Sequence, residues 1–239
     1  MQTRLGRATL ELEDGIMRFR DRTDAGEQLA ERLARAEPGA APIVLGLPRG
    51  GVVVAGPVAR ALGAPLDVLV IRKLGSPANA EYAVGAIGEG GVRVVDAKGL
   101  RGTGVTERSL AAIERQEFRE LQRRTALYRA GRLPLNLSGR TAVLVDDGVA
   151  TGATARAACL VSRAIGARRT VLAVPVAPRD WTDGLADVAD ELIALQTPSP
   201  FFAVGQWYER FGQTSDDEVL ATLRDHPGTD QPHQREEDR

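Results

Sequence analysis

The stretch that decides the fold of this chain covers residues 143–154 and reads VLVDDGVATGAT. Its first three residues are a short apolar run of the kind that forms a buried strand. Two adjacent acids, Asp146 and Asp147, end that run, and the small residues from Gly148 onward lead into a helical pattern. The stretch therefore predicts a strand, a loop and the start of a helix.

Apolar runs and helical patterns alternate along the rest of the chain in the same way. Strands are predicted at residues 43–45, 66–71, 141–145, 170–176 and 191–195. Helices are predicted after an N-cap at Asp24 and at 52–62, 106–128 and 154–165. This alternation is typical of an α/β fold whose mostly parallel central sheet carries helices on both faces.

A chain of 239 residues is long enough for one such domain with appendages. We expect a single domain over residues 1–225 and a disordered polar tail over 226–239. Within the domain, we expect a small hood at about 196–214, joined by the N-terminal segment. Residues 75–82 are rich in small residues and predict a mobile loop, followed by a β-ribbon at 83–87 and 92–95.

Composition excludes several classes of protein. The formal net charge of −1 gives no reason to expect a nucleic-acid partner, and no apolar run approaches the ~20 residues of a membrane span. Cys159 is the single cysteine, and His226 and His233 lie in a polar stretch, which argues against zinc sets and histidine triads. We therefore expect a cytoplasmic protein with no membrane partner.

The loop after the acids has the properties of a phosphate cradle. Small residues from Gly148 let the backbone approach a ligand, and amide groups at the start of a helix attract anions. Thr151 and Thr154 add hydroxyl donors. An ordinary strand–helix turn with an aspartate cap is the alternative, but two acids, a glycine and two threonines together favour a ligand site.

This string resembles the 5-phosphoribosyl-1-pyrophosphate (PRPP) motif of type I phosphoribosyltransferases, and the resemblance extends over about residues 20–215. It implies that Asp146 and Asp147 hold the ribose hydroxyls. It also implies a 5-phosphate loop made of Val149, Ala150, Thr151, Gly152, Ala153 and Thr154. Ala150 departs from the threonine common in the family, which removes one hydroxyl contact. The order of parts is similar to a bacterial group of predicted phosphoribosyltransferases whose acceptor is not known.

Two further segments resemble parts of that family. Residues 47–51 resemble its pyrophosphate loop, in which Arg49 would supply charge and Gly50 and Gly51 backbone freedom, and we predict a non-proline cis peptide there. Arg72 and Lys73 resemble its basic position beside the pyrophosphate, although a solvated strand end is the alternative.

Residues 75–82 resemble the flexible catalytic loop that closes over PRPP. Glu81 and Tyr82 could contact ligand on closure, whereas a plain surface loop is the alternative. A cluster of aromatic residues lies where the family places its hood: Phe201, Phe202, Trp207, Tyr208 and Phe211. These rings either stack on the acceptor base or attach the C-terminal strand to the core or to a second subunit.

The resemblance implies transfer of the phosphoribosyl group of PRPP to a small nitrogenous base, with release of pyrophosphate. Mg²⁺ would be held mainly by ligand oxygens and water, with Asp146 reaching it indirectly. Asp147 is the candidate general base, and a homodimer is the expected assembly. A PRPP-binding regulator without turnover and a nucleotide or sugar-phosphate hydrolase are the two alternatives.

Overall fold

A parallel sheet of five strands lies at the centre of the part of the chain that the structure, a computed structural model, describes: residues 18–76, 79–95, 100 and 103–226. The strands are β1 (Pro42–Gly46), β2 (Leu66–Val68), β3 (Ile71–Ser76), β4 (Asn79–Gly88), β5 (Val92–Val95), β6 (Thr141–Val145), β7 (Arg169–Val176) and β8 (Glu191–Gln196). The helices are α1 (Arg22–Ala36), α2 (Gly50–Leu62), α3 (Glu107–Tyr128), α4 (Ala153–Ala164) and α5 (Asp216–Arg224). Two short 3₁₀ helices cover Glu89–Gly91 and Val204–Trp207.

The central sheet has the strand order β2-β1-β6-β7-β8, with every pairing parallel. Successive side chains of β6 point to opposite faces. Val143 and Val145 pack with residues of α1 and α2, whereas Ala142 and Leu144 pack with residues of α4. The predicted α/β fold, with helices on both faces of a parallel sheet, is thus confirmed.

The prediction of one strand over residues 66–71 was wrong. β2 ends at Val68, which is paired with Gly46, the last residue of β1. One further hydrogen bond, from the Leu69 amide to the Gly46 carbonyl, ends the contact with β1, and Ile71 starts β3 in a second, antiparallel sheet of order β3-β4-β5. Arg72 and Lys73 therefore belong to this second sheet and do not close a strand of the first.

The predicted loop over residues 75–82 is replaced by strand in its described part. Gly75 and Ser76 end β3, Asn79 begins β4, and Ser76 pairs with Asn79 in a hairpin with register shifts. Pro77 and Ala78 lie outside the described residues. The predicted ribbon is confirmed, because β4 pairs with β5 from Gly85 to Gly88.

Polar caps fix where the helices begin. The carboxylate of Asp21, not of the predicted Asp24, caps α1 and accepts a hydrogen bond from the Asp24 amide. Thr106 caps α3, since Thr106 and Ser109 form a reciprocal capping box. α5 was not predicted, although Ser215 and Glu218 cap it in the same reciprocal way.

The N-terminal segment joins the aromatic segment, as predicted. Phe19 forms a parallel bridge with Tyr208, and the Phe19 amide donates to the carbonyl of Trp207 at 2.9 Å. Phe19 and Tyr208 are both buried, in a small apolar cluster that also includes Val176 at the end of β7. Residues 227–239 of the predicted tail lie outside the described residues.

A buried ionic cluster ties the second sheet to the central one. Arg129, just after α3, donates to Asp67 of β2 at 2.6 Å and to Glu89 at 2.5 Å. All three side chains are less than one-tenth exposed. Arg132 adds hydrogen bonds to the carbonyls of Leu66 and Leu223 at 2.7 and 2.9 Å.

None of the helices in the described ranges combines the length and apolar character that a membrane span requires.

Replacing Arg129 with methionine should lower the free energy of unfolding by about 3–5 kcal/mol, because Glu89 and Asp67 lose their hydrogen bonds to a buried guanidinium and Asp67 keeps only the longer ion pair with Arg132 at 3.6 Å. Urea unfolding of the purified protein measures this loss. Arg163→Met is the matched control, since Arg163 and Asp190 form an exposed pair worth about 0–1 kcal/mol. Equal losses in the two variants would contradict a structural role for the buried cluster.

Candidate functional site

Two aspartates stand where β6 leaves the central sheet. Thr141–Val145 is fully buried, whereas Asp146 and Asp147 are only partly buried at the carboxyl edge of the strand. Ligands of open α/β sheets bind at this edge. The predicted acid pair therefore lies at the position where the fold binds ligands.

Helix α2 begins against this acid pair. A side chain at Gly50 would place its first carbon 2.0 Å from Asp147 Oδ2, and one at Gly51 would place it 2.5 Å from the Val145 carbonyl oxygen. The close approach of α2 to the end of β6 therefore requires glycine at both positions. This approach brings the positive end of the α2 dipole to the carboxylates.

The two carboxylates share a confined space. The Asp147 amide donates to Asp146 Oδ1 at 2.9 Å. Burial, and then the neighbouring charge of Asp147, raise the pKa of Asp146 well above its usual range. Burial also raises the pKa of Asp147, but the Arg22 guanidinium opposes that rise. Asp147 is thus the carboxylate that has its own counterion.

Arg22, near the N-terminal end of the described chain, connects Asp147 to the C-terminal segment at Gly212. From the first turn of α1, its Nε donates to Asp147 Oδ2 at 2.8 Å and its Nη1 donates to the Gly212 carbonyl at 2.8 Å. Its guanidinium also lies 4.0 Å from the centre of the Phe211 ring. The sequence predicted that the N-terminal segment joins the hood but not this ion pair, because no local pattern links residues 125 positions apart.

Tyr208 fixes the backbone of the same aspartate. Its hydroxyl donates to the Asp147 carbonyl at 2.6 Å, and its ring packs against Phe19 and Phe211 at centroid distances of 5.4 and 4.9 Å. Burial, and then the charge of Asp147, raise the pKa of Tyr208. The hydroxyl therefore remains protonated and acts as a permanent hydrogen-bond donor.

A cavity of about 180 Å³, which we call the β6 cavity, lies beside the loop that follows Asp146. It is lined by that acid, by residues 148–152, by Thr154 and Ala155, and by Val204 of the hood. Gly152 has a φ of 76° and begins α4 without a side-chain cap. Thr151 and Thr154 are exposed. The predicted phosphate loop thus lines a cavity at the N-terminus of α4, a position that suits an anion.

A second cavity of about 410 Å³, the β3 cavity, adjoins the first, since Thr154 lines both. Leu47 and Pro48 form one wall, and β3 forms another through Arg72 and Lys73. The peptide between Pro48 and Arg49 is cis, as the sequence predicted for this loop. The predicted pyrophosphate loop and the predicted basic pair therefore face one cavity.

Helix α3 supplies the third wall of the β3 cavity through Ile113, Glu117 and Arg124. Arg72 donates to Glu117 Oε2 at 2.6 Å, and Arg124 donates to Glu120 Oε1 at 2.7 Å. The second of these is an i,i+4 pair within α3. That α3 reaches the site was not predicted, because a helical pattern in the sequence shows that a helix forms but not which surface it packs against.

The remaining candidate residues lie outside the two cavities or outside the described side chains. Arg49 is the N-cap of α2 and, within the described chain, is not among the residues lining either cavity. The side chains of Glu81 and Tyr82 are not described. Glu89 belongs to the buried cluster around Arg129. In the described ranges no three or more His, Cys, Asp or Glu side chains are grouped for a metal ion.

The aromatic residues divide into two sets. Tyr208 is buried against Phe19, whereas Phe201 stacks on Trp207 at 6.3 Å and Phe202 is 82% exposed. One set therefore attaches the C-terminal segment to the core. Phe201 and Trp207 are part-buried against the same apolar cluster as Tyr208, which leaves Phe202 as the most exposed ring at the surface of the hood.

Comparison with known proteins agrees with this geometry. Residues 18–205 match the family model described as "Phosphoribosyl transferase domain". Over 205 residues the chain is 58% identical to two Mycobacterium tuberculosis proteins, of strains CDC 1551 and H37Rv, each named "Putative phosphoribosyl transferase". The alignment covers 86% of this chain and 46% of each relative, so the chain spans about half the length of those proteins.

A solved structure is similar as well. The crystal structure of TT1426 from Thermus thermophilus has a TM-score of 0.81 and 47% sequence identity, over 89% of this chain and 100% of the other. The match to the family model extends from the N-terminal segment across both cavities to the hood. On these grounds, the chain belongs to the phosphoribosyltransferase family.

Proposed function

We propose that this protein is a Mg²⁺-dependent phosphoribosyltransferase that transfers the phosphoribosyl group of PRPP to a nitrogenous base and releases pyrophosphate. The observation that carries the proposal is the acid pair Asp146–Asp147, set between the start of α2 and the uncapped start of α4. Carboxylates suit sugar hydroxyls, and helix N-termini suit phosphates. The site thus offers complementary groups for both parts of PRPP.

The ribose and its 5-phosphate would bind at the β6 cavity. Asp146 and Asp147 would accept hydrogen bonds from the ribose hydroxyls. Backbone amides over residues 149–154, with the hydroxyls of Thr151 and Thr154, would hold the phosphate. Ala150 is exposed and leaves the loop backbone accessible. This arrangement would place C1 of the ribose toward the neighbouring β3 cavity.

The pyrophosphate would bind in the β3 cavity. Lys73 and Arg72 line it, and the loop through Pro48 leads to Arg49, Gly50 and Gly51 at the start of α2. Positive charge and oriented amides stabilise a leaving group on which negative charge develops. Because the transition state of this reaction resembles an oxocarbenium ion, the protein would act mainly by positioning and electrostatics.

The carboxylate oxygens of the site fit an Mg²⁺ ion that binds together with PRPP. Burial, and then the charge of Asp147, raise the pKa of Asp146, and a nearby cation would stabilise the charged form of both carboxylates. The described residues offer no full protein cage, and Mg²⁺ commonly keeps water and phosphate oxygens as ligands. When bound, the ion would offset charge on the pyrophosphate. Asp146 would reach it through water or the ribose hydroxyls.

Asp147 is our candidate for the group that accepts a proton from the acceptor base. Its ion pair with Arg22 favours the ionised form that a proton acceptor requires. The exposed ring of Phe202 and the stacked pair of Phe201 and Trp207 are our candidates for contacts with the flat acceptor. Assembly as a homodimer and a cytoplasmic location stay predictions.

The test of the proposed reaction is release of pyrophosphate from PRPP and Mg²⁺ in the presence of a panel of purine and pyrimidine bases. Release that depends on a base, together with formation of the nucleotide, is the expected result. Release without any base would indicate a hydrolase instead. Tight binding of PRPP with no release would indicate a regulator without turnover.

The double variant Asp146→Asn, Asp147→Asn should weaken PRPP binding about a hundredfold or more, because two charge-assisted contacts to the ribose are lost. Isothermal titration calorimetry measures the affinity, and circular dichroism checks the fold. Asp180→Asn with Asp183→Asn is the control, since both acids are exposed in the segment after β7. Wild-type affinity in the first double variant would refute the assignment of the acid pair.

The single variant Asp146→Asn should raise the thermal unfolding midpoint of the ligand-free protein by about 2 °C or more at pH 8. The folded state raises the pKa of Asp146, so the destabilisation begins near the pKa of the unfolded chain and is complete only above the raised pKa of the folded state. The advantage of the variant should shrink as the pH falls and vanish below about 4, where the wild-type carboxyl becomes protonated in the unfolded chain as well. A variant that is less stable at pH 8 would contradict this explanation.

A further inference from the structure

The β3 cavity carries more positive charge than the two basic residues of β3 account for. Arg72, Lys73 and Arg124 all line it, against the single carboxylate of Glu117. Three cations and one anion around a cavity of about 410 Å³ suit a polyanionic ligand. Arg124 comes from α3, the helix that packs against β3 and forms the third wall of this cavity.

We propose that Arg124 binds the pyrophosphate group in the β3 cavity, and that Glu117 and Glu120 hold Arg72 and Arg124 in the positions from which they contact it. This inference rests on the proposed function, because it assigns a further residue to the same site. It adds helix α3 to the elements that bind the leaving group.

The two glutamates lie three residues apart on α3, and each holds one arginine. Arg72 uses its Nε and Nη2 atoms to pair with Glu117 Oε2, both at 2.6 Å. Arg124 uses its Nε to pair with Glu120 Oε1 at 2.7 Å. A guanidinium has five N–H donors, and this bond of Arg124 uses one of them. The planar group is thereby oriented while its other donors remain suited to a bidentate contact with phosphate oxygens.

The carboxylate that holds Arg124 stays charged throughout the physiological range. Hydrogen bonds from Arg123, and then from Arg124, lower the pKa of Glu120 to about 2. Glu120 can therefore orient Arg124 at any pH at which the protein works. The Arg124 side chain is 24% exposed, so it is accessible to a ligand yet restricted by its partner.

Arg123 provides a matched comparison on the same helix. It also pairs with Glu120, with Nε donating to Oε2 at 2.9 Å, but it is 54% exposed and does not line the β3 cavity. The two arginines thus share a partner, an element and a charge. They differ in whether they face the cavity, which is the property that the proposal depends on.

The experiment is calorimetric titration of the full chain with inorganic pyrophosphate and Mg²⁺, for the wild type, Arg124→Gln, Arg124→Lys and Arg123→Gln. Arg124→Gln should weaken pyrophosphate binding by about tenfold or more, because it removes a charge-assisted contact. The affinity of Arg124→Lys for pyrophosphate should fall between those of Arg124→Gln and the wild type, since lysine keeps the charge but cannot make a bidentate contact. Arg123→Gln should bind like the wild type.

Steady-state kinetics give a second readout. Arg124→Gln should raise the KM for PRPP and leave the KM for the acceptor base unchanged, whereas a merely structural defect would change both and lower the thermal midpoint. Wild-type pyrophosphate affinity in Arg124→Gln, or an equal loss in Arg123→Gln, would overturn this inference alone. A wild-type protein that binds neither pyrophosphate nor PRPP would overturn the proposed function along with it.

Discussion

The close approach of α2 to the end of β6 is the constraint on which the site depends. The first two residues of the helix are glycines, and a methyl group at Gly50 would lie 2.0 Å from Asp147 Oδ2. With that approach, one helix dipole faces the acid pair while the loop before the helix lines the β3 cavity. The two glycines therefore let the loop that lines the β3 cavity lie close to the acid pair of the β6 cavity.

The acid pair is the part of the candidate site that works against the stability of the fold. Two carboxylates in a confined space destabilise the protein without ligand, and burial adds to the cost of their charge. Arg22 and the Tyr208 hydroxyl offset part of that cost on the Asp147 side. Asp146 has no such ion pair among the described contacts of the site, which makes it the carboxylate whose charge a bound cation would relieve most.

Local patterns predicted most of the central sheet and the loop between Asp146 and Thr154, because a buried strand followed by a helix cap is encoded in adjacent residues. The end of β2 was not predictable in this way, since it depends on where β1 stops at Gly46. The ion pair of Arg22 and the wall formed by α3 depend on contacts between distant segments, which single-sequence patterns do not carry. Helix α5 could have been predicted from the sequence, because Ser215 and Glu218 have the residue types and spacing of a capping box.

The contact between Arg22 and Asp147 also has a consequence for the entropy of folding. It joins residues 125 positions apart and is completed by Gly212, a further 65 positions along, so closing it restricts a long stretch of chain. The pairing of β1 with β6 and the bridge between Phe19 and Tyr208 hold these distant segments side by side in the folded protein. The counterion of Asp147 therefore depends on both terminal segments, and local unfolding of either one would disturb it.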